Sequence, residues 1–253
     1  MSGAPPPAKS IDLNADVGEG YADAELLPLV TSANVACGAH AGDAASMRAT
    51  LELAHALGVR SGAHPGFPDR SGFGRRITTR DPAAIAALVG EQITALLRIA
   101  AQLDAAVAHV KPHGALYNLS AVDDAVADAI AATVARLLPA ARLVGLAGSC
   151  SLVAASRHGL VAVAEGFVDR AYLRDGTLAP RALDGAIIAD PHEAARRAVQ
   201  LATGASVTTL DGATVTLHVD TLCLHGDAPG AAARARLVRT ALLAAGVEVT
   251  APA

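Results

Sequence analysis

The sequence predicts an α/β chain folded as one (β/α) barrel with seven strands. Three observations carry that expectation. Short apolar runs alternate with longer segments of helical periodicity, the pattern of a parallel sheet. No Gly-x-Gly-x-x-Gly follows the first run, which argues against an open dinucleotide-binding sheet. The ionisable residues gather just past the ends of the runs, where a parallel barrel builds its active site.

In chain order, the expected strands are Ile11–Ala15, Ala33–Cys37, Val59–Ala63, Ala106–Lys111, Arg142–Leu146, Val161–Glu165 and Asp220–Leu224. The expected helices between them are Asp43–Leu57, Pro82–Leu103, Asp123–Leu138, Pro191–Thr203 and Ala231–Ala245. Two helix starts are signposted: Asp81-Pro82 and Asp190-Pro191 each place a capping carboxylate before a proline at the first helical position. Residues 206–219, SVTTLDGATVTLHV, break the rhythm by alternating about an Asp-Gly turn, and read as an accessory hairpin. No repeat or linker divides the chain, so residues 11–253 are expected to form one domain after a flexible Pro-rich tail at 1–10.

Composition removes several function classes. The net charge is −4 and no basic stripe is present, so a nucleic-acid partner is not expected. Aromatic residues make up only 2% and Trp is absent, which leaves no platform for stacking bases or sugars. Cys37, Cys150 and Cys223 are odd in number and far apart, as free thiols in a reducing compartment would be. The N-terminus lacks the basic and apolar regions of a signal peptide, and no uncharged apolar run reaches the ~18–20 residues of a membrane span. A cytoplasmic location is therefore expected.

Six strand ends carry the chemistry. The first offers Asp12, Asn14, Asp16 and Glu19; the second Asn34, His40 and Asp43; the third His64 and Asp69. The fourth, VKPHGALYN, offers Lys111, His113 and Asn118; the sixth Glu165, Asp169, Arg170 and Tyr172; the seventh His225 and Asp227. A single such residue is ordinarily structural, but six segments with the same placement converge on one barrel mouth. His55, His158, His192 and His218 lie in helices or the hairpin, and His109 begins a strand at the end away from the mouth. Ordinary structural roles are expected for these five. Lys111 is one of only two lysines, against eighteen arginines. In an apolar strand its compact ammonium suits either an anionic substrate group, a developing oxyanion, or a buried ion pair.

In order and spacing, DLNADVGE, NVACGAHAGD, GAHPGFPD, VKPHGALYN, EGFVDRAYLRDG and LHGD resemble the LamB/YcsF family, the lactam utilisation proteins that form the A component of bacterial 5-oxoprolinase. The resemblance runs from about Ile11 into the last helix. Ala39, Gly66 and Val168 depart from the family's usual aromatic, Ser and Ala, and none of these removes an ionisable group. It implies a barrel similar to the glycoside hydrolase/deacetylase superfamily. It also implies ATP-dependent opening of 5-oxoproline to L-glutamate, together with two partner subunits, B and C.

The chain has no Gly-x-x-x-x-Gly-Lys-[Ser/Thr] loop, so ATP is expected to be held mainly by the partners. Catalytic roles are expected for Asp16, Glu19, His64, Lys111 and His113: a base for water, proton shuttles and an oxyanion partner. Asn14, His40, Asp43, Glu165, Asp169, Arg170, His225 and Asp227 are expected to bind substrate. Asp16, His64 and His113 form a candidate ligand set for Zn²⁺ or Mn²⁺. Two rival readings are a stand-alone metal-dependent deacetylase or amidohydrolase, and a non-catalytic lactam-binding regulatory subunit.

Overall fold

Strand runs that are buried on both faces fold as parallel strands under a layer of helices, and that is the arrangement found. The structure, a computed structural model, describes residues 9–227 and 230–251. Seven strands close into a barrel: β1 (Lys9–Val17), β2 (Ser32–Ala36), β3 (Arg60–His64), β4 (Val107–Val110), β5 (Arg142–Leu146), β6 (Val161–Phe167) and β9 (Thr221–Leu224). Every pairing in the ring is parallel, and closure comes from β9, which pairs with β6 on one side and with Asp12–Ala15 of β1 on the other. The chain therefore has the expected single-domain seven-stranded barrel.

Two small strands, β7 (Val207–Thr208) and β8 (Thr214–Val215), form the expected antiparallel hairpin outside the ring. A last strand, β10 (Val247–Val249), pairs with Lys9–Ile11 outside the barrel and has no counterpart in the expected elements. It also corrects the expected tail: Lys9 and Ser10 are already strand, while the rest of that segment lies outside the described residues.

The helical layer follows its sequence signals closely. Helices α2 (Ala44–Ala56), α3 (Pro82–Gln102), α5 (Asp124–Leu137), α7 (Pro191–Thr203) and α8 (Ala231–Ala244) lie where expected. Short α1 (Asp23–Leu26), α4 (Gly114–Val122) and α6 (Cys150–Arg157) were not anticipated. In α3, Ile85, Val89, Ile93, Leu96 and Ala100 make one buried stripe at helical spacing. By length and apolarity α3 would also pass for a membrane span. Its buried stripe packs against α2, α5 and β3. Gln92, on the same face, clamps the loop after β3 with bonds to the Gly66 N–H (3.0 Å) and C=O (2.9 Å).

Inside the ring, small and polar residues share the space. A Cβ at Gly62 would meet the His109 ring at 2.2 Å, so this glycine makes room for a histidine in the barrel interior. His109 Nε2 lies 2.8 Å from Asn34 Oδ1. Asn34 Nδ2 in turn donates to Asn14 Oδ1 (2.7 Å) and Asp16 Oδ1 (2.9 Å). With its amide so committed, Asn34 accepts from His109, which places a hydrogen on Nε2 of the imidazole. Burial, then the charge of Lys111, pushes His109 down to about 3.

A folded-state pKa below the unfolded value means that stability drains away as pH falls through ~6.5 toward 3, because only the unfolded chain takes up the proton. Between pH 7 and 5.5 the wild type should lose about 1 kcal/mol that His109→Asn does not lose. Urea melts of both proteins at the two pH values measure this; parallel losses would contradict it.

Candidate active site

The C-terminal ends of β1, β3, β4, β6 and β9 open into one cavity of about 560 Å³. Its inner wall is formed by Asp16, Glu19, His64, Lys111 and His113, the five residues expected to be catalytic. Local backbone chemistry delivers them. Proline after His64 and after Lys111 keeps both residues extended at their strand ends. Gly114 then turns the chain at φ +54°, so close to Gly74 that a Cβ would meet its carbonyl oxygen at 2.7 Å. This sharp turn starts α4 with His113 as its N-cap, directed inward.

Lys111 is 2% exposed, and its ammonium touches Glu165 Oε1 (2.8 Å), Asp16 Oδ1 (3.0 Å), Asn14 Oδ1 (3.1 Å) and Cys223 Sγ (3.1 Å). An ammonium has three protons, so protein groups already saturate it. Of the roles expected for Lys111, the geometry matches the buried ion pair. Burial alone would raise the Asp16 carboxyl, yet the charges of His64 and Lys111 hold it well below the usual carboxylate range. Glu19 goes the other way. Burial, then the Asp16 charge, pushes it up to about 8. Two carboxyls three positions apart therefore sit in opposite protonation states at neutral pH.

The histidines form a tight group. His40 and His113 stack with centroids 3.7 Å apart, and His64 meets His113 edge-on at 4.8 Å. Burial leaves His40 neutral, at about 4, and pushes His113 well below its ordinary value. His64 Nδ1 lies 2.7 Å from the Lys111 carbonyl oxygen, and His113 Nε2 lies 2.8 Å from that of Phe73. Carbonyls only accept, so both rings donate there. That leaves His64 Nε2 and His113 Nδ1 facing each other at 2.9 Å. Two bare lone pairs at that distance need a positive charge between them, either a proton or a cation.

The surrounding donors suit a divalent cation. Glu19, His40, His64 and His113 bring one ligand atom each within 4.8 Å of one another. Ring N–H groups bound to backbone carbonyls are the usual supports of metal-ligating histidines. This changes the expected ligand set. His64 and His113 stay, and Glu19 and His40 join them. Asp16 is instead engaged by Lys111 and Asn34, 3.3 Å from His64 and grouped with Cys223 and His225.

Several expected substrate contacts lie elsewhere. Asp43 is the N-cap of α2, bonded to Ser46 in a capping box and away from the cavity. Asn14 points into the barrel, its amide committed to Glu165 (2.8 Å), Thr221 (2.7 Å), Asn34 and Lys111. Glu165 is fully buried beneath the cavity floor. Asp169 is turned toward His225 Nδ1 (2.9 Å) and Arg234 (3.7 Å). His40 stands behind His113 and off the wall. Arg170, His225 and Asp227 do line the cavity. So do Arg75, Tyr117 and Arg181, which sequence reasoning missed because a loop arginine or a helical tyrosine carries no spacing signal.

The chain is similar to known proteins over nearly its whole length. Residues 11–253 match the LamB/YcsF family. The chain belongs to this family. Among LamB/YcsF relatives, the A subunit of 5-oxoprolinase from Heliobacterium modesticaldum is 49% identical over 95% of this chain and 97% of its own length. That of Streptomyces griseus is 49% identical over 95% and 99%. The crystal structure of a lactam utilization protein from Thermus thermophilus superposes with a TM-score of 0.88 at 46% identity, covering 96% of this chain and all of that one. The peptidoglycan deacetylase PdaC of Bacillus subtilis shares the fold alone, at TM-score 0.51 and 12% identity.

If a cation bridges the histidines, Zn²⁺ or Mn²⁺ should raise the melting temperature of the wild type and of Asp43→Ala by several degrees. It should not shift the His64→Ala/His113→Ala double variant. Thermal melts with and without metal, alongside elemental analysis, decide this. No shift in any of the three would leave a proton as the bridging charge.

Proposed function

We propose that the chain is the hydrolytic subunit of an ATP-dependent 5-oxoprolinase, opening 5-oxoproline to L-glutamate in the cytoplasm with two partner subunits, B and C. The observation that carries this reading is the split between Asp16 and Glu19. A lactam is an amide: water must be deprotonated as it adds to the carbonyl carbon, and the ring nitrogen must be protonated as the C–N bond breaks. Paired groups whose environments drive their protonation apart are suited to divide those tasks. The 5-oxoprolinase relatives named above, matched over nearly their whole length, support the same choice of substrate.

In this mechanism Glu19, protonated at neutral pH, gives its proton to the leaving ring nitrogen. Asp16 stays ionised at the cavity wall, where it orients the attacking water and takes its proton directly, with His64 at 3.3 Å fixing the carboxylate. His113 faces His64 from the other side across the bridging charge, which fixes both rings. Lys111 keeps Asp16 charged and in place, a positioning role distinct from direct oxyanion binding. A divalent cation held by Glu19, His40, His64 and His113 would ionise Glu19, since a ligating carboxylate gives up its proton, and would supply Lewis-acid polarisation in place of that acid. Phe167 and Tyr117, packed edge to face at 5.6 Å, wall the cavity. Burial and the neighbouring Glu165 carboxylate push the Tyr117 hydroxyl well up, so it stays a neutral phenol.

Opening a stable γ-lactam needs a driving force, which ATP supplies. The chain has no phosphate-binding loop, which supports assigning most of the nucleotide site to the partners. The test is glutamate formation from 5-oxoproline. It should require ATP and both partners, and Asp16→Asn should lower turnover by at least ~100-fold, the scale of removing a general base. Activity without ATP or partners would replace this reading with a stand-alone amidohydrolase. Normal turnover by Asp16→Asn would reduce the chain to a binding subunit.

A further inference from the structure

Carboxylates outnumber cations in the depths of the cavity, and guanidiniums dominate its mouth. Lys111 is matched by Asp16 and Glu165. At the mouth, Arg75, Arg170 and Arg181 line the same space. Of the three carboxylates near them, Asp227 pairs with Arg75, Asp175 is occupied by the Thr177 N–H (2.9 Å) and hydroxyl (2.6 Å), and Asp169, whose charge reaches Arg170 and Arg181, is engaged by His225 and Arg234. Arg170 is 4% exposed; one Nη donates to the Ala179 carbonyl at 2.6 Å, and its Nε is buried with no partner. Arg181 has no hydrogen-bond or ion-pair partner among the described residues.

Arg170 and Arg181 are not on a loose loop. Bridges Arg170↔Ile187 and Tyr172↔Leu178 fold the segment after β6 onto itself, over a small core of Ala171, Ala179 and Ala186. Burial, then the charge of Arg181, brings Arg170 down to about 10, and burial with the Arg75 charge lowers Arg181 as well. The guanidiniums feel one another, and an anion would relieve that repulsion.

We propose that Arg75, Arg170 and Arg181 form a second anion subsite at the cavity mouth, built for a phosphoryl group. It rests on the lactam reading only for the identity of the ligand deeper in. A lone carboxylate is satisfied by one guanidinium fork, whereas a phosphoryl group presents three oxygens and takes several forks at once. The space agrees. Cavities of about 300–1,000 Å³ hold drug-sized ligands, so one five-membered ring with a carboxylate leaves much of 560 Å³ unfilled. The phosphoryl group has two possible sources: free phosphate, or a group carried on an organic ligand.

Calorimetric titration of the full chain with inorganic phosphate, acetyl phosphate and acetate tests this. Both phosphoryl probes should bind, with acetate at least tenfold weaker. Arg181→Ala, a half-buried residue with no hydrogen bond to lose, should weaken phosphoryl binding at least tenfold. Arg170→Ala should do the same if its melt shows a folded protein. Arg157→Ala, a surface guanidinium paired with Asp124 and Asp128 on the outer layer, should leave it unchanged. Tighter acetyl phosphate would assign the group to an organic carrier, and tighter phosphate to the free ion; either supports the subsite. Acetate binding as tightly as phosphate, an unaffected Arg181→Ala, or no phosphoryl binding would overturn it. A separate titration with 5-oxoproline keeps the two readings apart: the lactam binding without phosphate overturns the subsite alone, while phosphate binding without the lactam supports it and removes the lactam.

Discussion

One buried ammonium organises this barrel. Lys111 sits where β4 ends, in contact with Asp16 and Asn14 from β1, Glu165 from β6 and Cys223 from β9. Four strands that are distant in sequence thus share one cation. Removing one member of such a buried group typically costs about 3–5 kcal/mol, because the remaining charge is left without compensation. Asn14 and Asn34 extend the arrangement sideways to Thr221 and His109, so the interior is a connected polar network inside an apolar ring. Such a network, satisfied except at Glu165 Oε2, ties the register of these strands to one polar centre.

Chemistry follows from that compensation. With Lys111 and His64 beside it, Asp16 remains ionised although buried, and its charge then disfavours ionisation of Glu19. The acid and the base of the proposed hydrolysis are therefore set by one cation and one buried location, not by two independent devices. The edge-on histidine pair adds a demand of its own, a positive charge between His64 and His113, and Glu19 and His40 are placed to share a cation there. The outward face is different in kind: its arginines are under-compensated and await an anion from solution.

Much of this was legible in the sequence, for physical reasons. Apolar runs bounded by Gly, Pro and capping Asp mark strands and helices, so the seven-stranded ring and the hairpin are visible in advance. The parallel rule then places Asp16, Glu19, His64, Lys111 and His113 at one mouth. Depth along a strand was harder to see. Asn14 and Glu165 lie a pleat lower than Asp16 and face the interior, where they hold Lys111 rather than a ligand. Asp43 looked like site chemistry because it follows His40 closely, yet a carboxylate one residue before a helix is first a cap. Arg75 and Arg181 were invisible because only tertiary folding of their loops turns them inward. Short α4 and β10 carry too few residues for periodicity to declare them.

Lys111 and Asp16 act as one unit in this proposal, the ammonium serving chemistry only through the carboxylate it holds. A double-mutant cycle on kcat/KM in the reconstituted ATP-dependent reaction measures this directly, with Lys111→Met, Asp16→Asn and the double variant. Strong non-additivity is predicted, with the double variant no slower than the slower single variant. Fully additive losses would contradict it, since they would mean that Lys111 acts on the substrate independently of Asp16.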